Sequence, residues 1–200
     1  MRALLSVMAV VVVGALGLGA CGAEQPSGGK AKQGTPAAAS TATPDAVVEG
    51  FYTAYRALPA GGGIPDGDGR ATLAPFLSPA LNKLLSDADH AETVYAKATN
   101  GESPPLIEGD PFSSLFEGAT GFDVGKCQGD VKAQQCVVDL VYDDKSAKPT
   151  NWQDTADVVM TDQGWRVDDI EFGGTWDFAN KGRLTELLKN TIEESKSAAE

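Results

Sequence analysis

Histidine and cysteine are scarce in this chain of 200 residues, which has one histidine, His90, and three cysteines. Ser-His-Asp catalysis needs a histidine beside its nucleophile, and neither a Gly-x-Ser-x-Gly turn nor a phosphate-binding glycine loop occurs. Zinc sites need Cys and His at repeated short spacings, which are also missing. The sequence therefore predicts no metal site, no cofactor and no catalytic motif.

Positive charge is also scarce, because 16 Lys and Arg are outnumbered by 28 Asp and Glu, for a net charge of -12. Nucleic-acid binding relies on Lys and Arg contacts with phosphates, and anionic lipid surfaces attract basic segments. We therefore expect neither nucleic acid nor direct adhesion to anionic lipid. Hydrophobic residues make up 42% of the chain, which is enough for an ordinary core.

The N-terminus has the order of a bacterial secretory signal, with a positive charge at Arg2, an apolar run over 3–18 and then small residues. The run ends in Leu-Gly-Ala-Cys21, which resembles the lipobox of bacterial lipoproteins. That family implies removal of residues 1–20 as a signal peptide and acylation of Cys21. The protein would then be lipid-anchored on the exported side of the cell membrane or outer membrane. The alternative is a transmembrane anchor, which Gly14, Gly17 and Gly19 disfavour.

The segment after the lipobox has no large apolar side chain, so we expect 21–43 to be a lipidated cysteine followed by a disordered tether. Removing residues 1–20 takes away Arg2 and lowers the net charge from -12 to -13. Residues 44–200 are enough for one folded domain with its own core.

Along this domain the apolar pattern changes from helical to alternating, which predicts an α+β fold. Thr43-Pro44 and Ser78-Pro79 are helix-start signals before apolar residues at three- and four-residue spacing. Between these helices, 59–69 is predicted to be a loop. After residue 119, alternation predicts a curved antiparallel sheet of about four strands, and a Leu-rich segment over 184–192 predicts a C-terminal helix.

Four motifs in order carry a further resemblance: PDAVVEGFYTAY (44–55), FLSPAL (76–81), DPF (110–112) and GWRVDDI (164–170). With them the chain resembles bacterial lipoprotein domains of unknown function, which are related to the cone-shaped fold of nuclear transport factor 2 and the cystatins. The resemblance implies a curved sheet around a helix, enclosing a conical pocket. It implies no activity, because relatives of this fold include enzymes, binding proteins and scaffolds.

Cys127 and Cys136 are the cysteines that remain once Cys21 is lipidated, and an exported domain meets oxidising conditions. Their surroundings suggest a hairpin that places them on facing strands. No third soft metal ligand lies nearby in sequence. We therefore predict a structural disulfide.

The pair Asp168-Asp169 is the strongest candidate for a pocket carboxylate. The apolar phase shifts between Val167 and Ile170, which predicts a β-bulge with one carboxylate on each face. One of the two would enter the pocket near Trp165 as a ligand anchor or a general base. The alternative is that both lie at the bulge and bind turn amides in water.

Three further features are weaker candidates. The sequence Asp-Gly-Asp-Gly at 66–69 is part of a calcium-loop pattern, but it lacks the third acidic residue and the closing Glu, which favours a polar loop. His90 lies about 180° from the apolar face of its helix, so we expect it in water. Trp152 and Trp176 lie in turn-forming sequence, so we expect them to be exposed as candidate interface residues, although loop tryptophans also fold back over sheet edges.

These patterns favour a non-enzymatic envelope lipoprotein that binds a protein partner or a small ligand as an accessory module. The alternative is an enzyme of the isomerase or dehydratase type that uses a pocket carboxylate. A cystatin-like inhibitor is a third hypothesis, although no inhibitory loop is recognisable.

The substitution Cys21→Ser removes the thiol that would be acylated. We expect it to release the protein from the membrane fraction, because the acyl chains supply the anchor. Ultracentrifugation of lysed cells followed by immunoblotting measures the distribution against the wild type. A serine variant that stays fully membrane-bound would show that the lipobox interpretation is wrong.

Overall fold

The computed structural model describes residues 41–59 and 62–198. The predicted signal peptide over 1–20, Cys21 and most of the predicted tether over 21–43 lie outside the described residues. Within the described part, no helix has both the length and the apolar character that crossing a membrane requires.

The domain has the predicted α+β architecture, with helices first, an antiparallel sheet of five strands and a final helix. The helices are α1 (Pro44–Arg56), α2 (Gly67–Leu73), α3 (Pro79–Ala98) and α4 (Leu184–Ala198), with a 3-10 turn at Ala74–Phe76. The strands are β1 (Gly121–Val124), β2 (Gln128–Gly129), β3 (Ala133–Tyr142), β4 (Thr150–Thr161) and β5 (Gly164–Glu171).

The strands lie in the order β1-β3-β4-β5, and the short β2 pairs with β3. Alternate residues of β3 and β4, among them Val138 and Val158, are buried in one core with Val48 and Phe51 of α1. Helix α1 contacts β1, β3, β4 and β5, while α3 and α4 contact each other and β5. The core therefore lies between the sheet and the helices, as the alternating and helical patterns predict.

The predicted β-bulge is present in β5. Asp157 on β4 pairs with Asp169, but the next residue, Val158, pairs with Val167. Asp168 is therefore the extra residue, and it accounts for the phase shift in the apolar pattern.

The predicted disulfide joins Cys127 and Cys136, whose Cα atoms are 4.1 Å apart. Cys127 lies directly before β2, and Cys136 is a fully buried residue of β3. The bond closes a hairpin, because Gln128 pairs with Gln135 beside it.

The helix-start signals are confirmed in position but differ in chemistry. Ser78 caps α3, since its Oγ accepts a hydrogen bond of 3.0 Å from the Leu81 amide. Thr43 has the extended backbone of a cap residue, yet its side chain makes no capping hydrogen bond. Only its carbonyl is used, and it accepts from the Val47 amide at 3.1 Å.

The prediction of a loop throughout 59–69 is wrong at its C-terminal end, where α2 begins at Gly67. Asp66 caps this helix by accepting a hydrogen bond of 2.8 Å from the Gly69 amide. Leu73 at its last turn is fully buried. Capping and this tertiary contact overcome the low helix propensity of the glycines.

Asp154 is a buried carboxylate, 1% exposed, that joins β4 to two loops. It accepts hydrogen bonds from the Ser114 amide at 2.9 Å, the Trp152 indole at 3.1 Å and the Gly173 amide at 2.9 Å. The Ser114 hydroxyl also donates to it, and itself accepts from the Gly174 amide. Asp154 thereby fixes the loop before β1 and the loop after β5 to the sheet.

Replacing Asp154 with Ala leaves its four donors without an acceptor in the core. Each unsatisfied buried group costs about 1–3 kcal/mol, so we expect the free energy of unfolding to fall by at least about 3 kcal/mol. Urea denaturation measures the loss, with Asp162→Ala, an exposed position in the β4–β5 turn, as the control. A loss no larger than that of the control would refute the central role of Asp154.

Candidate functional site

A cavity of about 860 Å³ lies where α1 ends, beside α2 and the segment 108–120. Its apolar lining includes Tyr55 and Leu58 from the end of α1 and its continuation, and Phe116 from the segment opposite. Small-molecule sites commonly occupy about 300–1,000 Å³, so the cavity has the size of a ligand site.

Asp110 places a carboxylate in the cavity wall while remaining 7% exposed. Its Oδ1 accepts a hydrogen bond of 2.7 Å from the Phe112 amide, and its side chain is hydrogen-bonded to Tyr55. Its backbone is fixed as well, since its amide donates to the Phe116 carbonyl and its carbonyl accepts from Asn180 Nδ2. The carboxylate is therefore held in one position by the loop and by α1.

Burial raises the pKa of Asp110 from 3.8 to about 6. The hydrogen bonds from the Phe112 amide and the Tyr55 side chain lower the pKa in part, and the charge of Asp154 raises it. Burial, followed by the nearby Asp110, raises the pKa of Tyr55 far above its ordinary value. Asp110 thus changes protonation near neutral pH, as ion anchors and general bases in pockets often do.

An aromatic cluster holds α1 against the loop that carries Asp110. The Tyr55 ring meets the Phe112 ring edge to face at 4.7 Å, and Phe51 meets Phe112 in the same way at 5.3 Å. Beneath them the Tyr52 hydroxyl is buried with no hydrogen-bond partner among the described residues. Burial first, and then the charges of Asp154 and Asp110, raise the pKa of Tyr52. The interior next to the cavity is therefore mainly apolar, which accounts for the raised pKa of Asp110.

Two glycines allow the backbone to approach the site closely. Gly118 has φ +77°, and a Cβ there would lie 2.3 Å from Oδ2 of Asp110. Gly62 has φ +65°, and a Cβ there would lie 2.4 Å from the Glu108 carbonyl oxygen. Side chains at either position would therefore clash with the cavity wall.

Neither carboxylate of the predicted pair Asp168-Asp169 lines this cavity, and neither does Trp165, which is buried. Asp169 accepts from Arg183 Nε at 2.6 Å and from the amide and hydroxyl of Thr185 at 3.0 and 2.8 Å. It therefore fixes the start of α4, as the alternative of amide binding at the bulge predicted, although in a buried setting. The carboxylate at the cavity is Asp110.

The expected exposure of Trp152 is wrong, because Trp152 is only 7% exposed. Its indole donates to the buried Asp154, and its ring meets Trp176 edge to face at 5.9 Å. Trp176 is half-buried in the loop after β5. An interface role for Trp176 stays a prediction, and Trp152 has a structural role.

The structure also shows where the remaining weaker candidates, His90 and the sequence 66–69, lie. His90 is exposed on α3, as expected from its helical position. In the sequence 66–69, the Asp66 carboxylate caps α2. Across the described ranges, no group of three or more Cys, His, Asp or Glu side chains comes together in a way that would hold a metal ion.

Sequence reasoning missed Asp110 and Tyr55. The Asp-Pro-Phe motif at 110–112 indicates only a family resemblance, and Tyr55 fits the apolar face of α1. The one local feature is that the Asp110 side chain accepts a hydrogen bond from the amide two residues later, which is typical of an Asx turn. Nothing local indicates burial, because Tyr55 and Asn180 reach Asp110 from distant parts of the chain.

The lipobox and the α+β domain together are typical of a bacterial lipoprotein, and sequence comparison agrees. Over 151 residues the chain is 28% identical to the uncharacterized lipoprotein YbjP of Escherichia coli (strain K12), covering 74% of this chain and 76% of that protein. No protein-family model matches the chain. No solved structure matches it, and the resemblance to nuclear transport factor 2 and the cystatins stays a prediction.

The raised pKa of Asp110 predicts a pH-dependent stability. The folded state holds this proton more tightly than the unfolded chain, so the contribution of Asp110 is most favourable below about pH 4 and declines as pH rises to about 6. The shift corresponds to a change on the order of 3 kcal/mol. Asp110→Asn should lack this decline, so its stability relative to the wild type should rise between pH 4 and 7. Urea denaturation across that range checks this, and parallel pH profiles for the two proteins would contradict it.

Proposed function

We propose that the protein is a lipid-anchored lipoprotein of the bacterial cell envelope whose domain binds a small ligand in the Asp110 cavity. The observation that carries the proposal is a carboxylate, 7% exposed and held by Phe112 and Tyr55, in the wall of a cavity of about 860 Å³. Ligand sites typically combine a mainly apolar wall with a few fixed polar groups. The domain acts as a non-enzymatic accessory module.

The anchoring half of the proposal is supported by the lipobox at Cys21 and by the name of the Escherichia coli relative. The predicted tether would join the lipidated Cys21 to the domain. The acidic domain is then held near the membrane without adhering to anionic headgroups, because like charges repel. A ligand of the envelope space would reach the cavity from the surrounding solvent.

An enzyme that uses Asp110 is the second candidate, and the raised pKa of about 6 favours it. A general base works best when its pKa lies near the working pH, and Tyr55 lies beside the carboxylate as a hydrogen-bonding partner. In this case a compound bound in the cavity would be consumed over time. Asp110→Asn would abolish that turnover at all pH values while binding remained. Turnover that survives in Asp110→Asn would eliminate this candidate.

A cavity-blocking variant tests the proposed binding. Thr72 lines the cavity and is exposed on α2, so Thr72→Trp would fill the opening without disturbing the core. Thr93 is a matched control, because it is also exposed on a helix and its hydroxyl also donates to the carbonyl four residues before it. Thr93 does not line this cavity.

Saturation-transfer NMR with a library of small fragments reads out binding to the wild type and both variants. We expect a set of fragments that bind the wild type and Thr93→Trp but lose binding in Thr72→Trp, because only the latter occupies the cavity. The proposal is wrong if no fragment distinguishes Thr72→Trp from the wild type.

A further inference from the structure

The cavity wall is strongly acidic. Only one basic side chain, Arg56, is among the described residues that line it. Against it stand five carboxylates, contributed by Asp66, Asp68, Glu108, Asp110 and Glu117. Charges that line a concave site reinforce one another, because the low-dielectric walls concentrate their field. The cavity therefore attracts positive charge.

Arg56 carries one positive charge against these five carboxylates, so it offsets the negative charge of the wall only in part. It donates to the Thr120 carbonyl and lies 5.8 Å from the centre of the Phe122 ring. None of the ion pairs among the described residues includes Arg56 or Asp110. Asp110 is thus a buried carboxylate whose described partners are an amide and a tyrosine rather than a cation.

The position of the charges gives the cavity two levels. Asp68, Glu108 and Glu117 are exposed, while Asp110 is buried deeper in the wall. Apolar surface completes the lining, with Tyr55 beside Asp110 and the half-exposed ring of Phe116. A ligand that matches this arrangement has a positive group for the carboxylate and an apolar group for the rings.

We propose that the cavity selects small organic cations that carry an ammonium or guanidinium group beside an apolar group. The positive group would pair with Asp110, which in its ionised form is costly to bury without a counter-charge. The apolar group would lie against Tyr55 and Phe116, whose rings also favour a neighbouring cation. The proposal rests on the proposed ligand-binding function and adds the chemical class of the ligand.

Three probes with the same phenyl-alkyl skeleton test the charge selection. They are phenethylamine, phenethyl alcohol and 3-phenylpropionate, which are cationic, neutral and anionic at pH 7.5. Isothermal titration calorimetry uses the mature lipidated protein in nanodiscs of neutral lipid, with empty nanodiscs as the blank. We expect the amine to bind about tenfold more tightly than the alcohol, because a partly buried charge pair adds about that much affinity. The propionate should bind most weakly, because its charge is repelled by the carboxylates.

Two substitutions assign the selection to Asp110. Asp110→Asn should lower the affinity for the amine about tenfold and change the affinity for the alcohol little, because only the charge is lost. Asp162→Asn, an exposed position outside the cavity, should change neither. If Asp110→Asn does not fold, the double variant Glu108→Gln/Glu117→Gln replaces it. Both glutamates are exposed, and replacing them should weaken binding of the amine and reduce the salt dependence of that binding.

The contrary outcomes separate this inference from the proposed function. Equal affinity for the three probes, or competition by the anionic one, overturns the cation selection while a ligand-binding cavity stands. Binding of none of the probes also overturns it, even where Thr72→Trp still blocks other fragments. If Asp110→Asn binds the amine as tightly as the wild type, Asp110 is not the anchor. If millimolar calcium chloride displaces the amine because calcium binds more tightly than the amine does, the site belongs to a metal ion instead.

Discussion

The buried carboxylate of Asp154 fixes to the sheet the loop that carries Asp110 and the loop that follows β5. It lies on β4 and accepts hydrogen bonds from the loop before β1, through Ser114, and from the loop after β5, through Gly173. The first of these loops carries Asp110, and the second carries Asn180, which bonds to the Asp110 carbonyl. The position of the Asp110 loop within the candidate site therefore depends on one acceptor in the sheet.

Asp154 and Asp110 show how two carboxylates of similar burial take different roles. Asp154 has four donors and faces the interior, so its bonding capacity is used by the fold. Asp110 has one amide and one tyrosine as partners and lines a cavity, so capacity remains for another molecule. The distinction between structural and functional acids thus depends on the number of donors and on access, and not on burial alone.

Local patterns were sufficient for much of the fold. The bulge at Asp168 followed from a phase shift in apolar residues, and the helices at 44–56 and 79–98 followed from their spacing and start signals. Helix α2 was missed because Asp66 capping and burial of Leu73 outweigh two glycines. The site was missed for a similar reason. The burial of Asp110 results from contacts with residues far away in sequence, which single-sequence periodicity does not register.

The glycines of the cavity wall limit which substitutions this domain can accept during evolution. At Gly62 and Gly118 the backbone itself forms the surface, and no side chain can be added without displacing Glu108 or Asp110. The volume of the cavity is therefore hard to change by successive single substitutions. Exposed positions at the mouth, such as Glu117, carry no such constraint. Diverged homologues of this chain are expected to keep the cavity and to differ in the charged residues around its opening. New ligand preferences would then arise from substitutions at the opening.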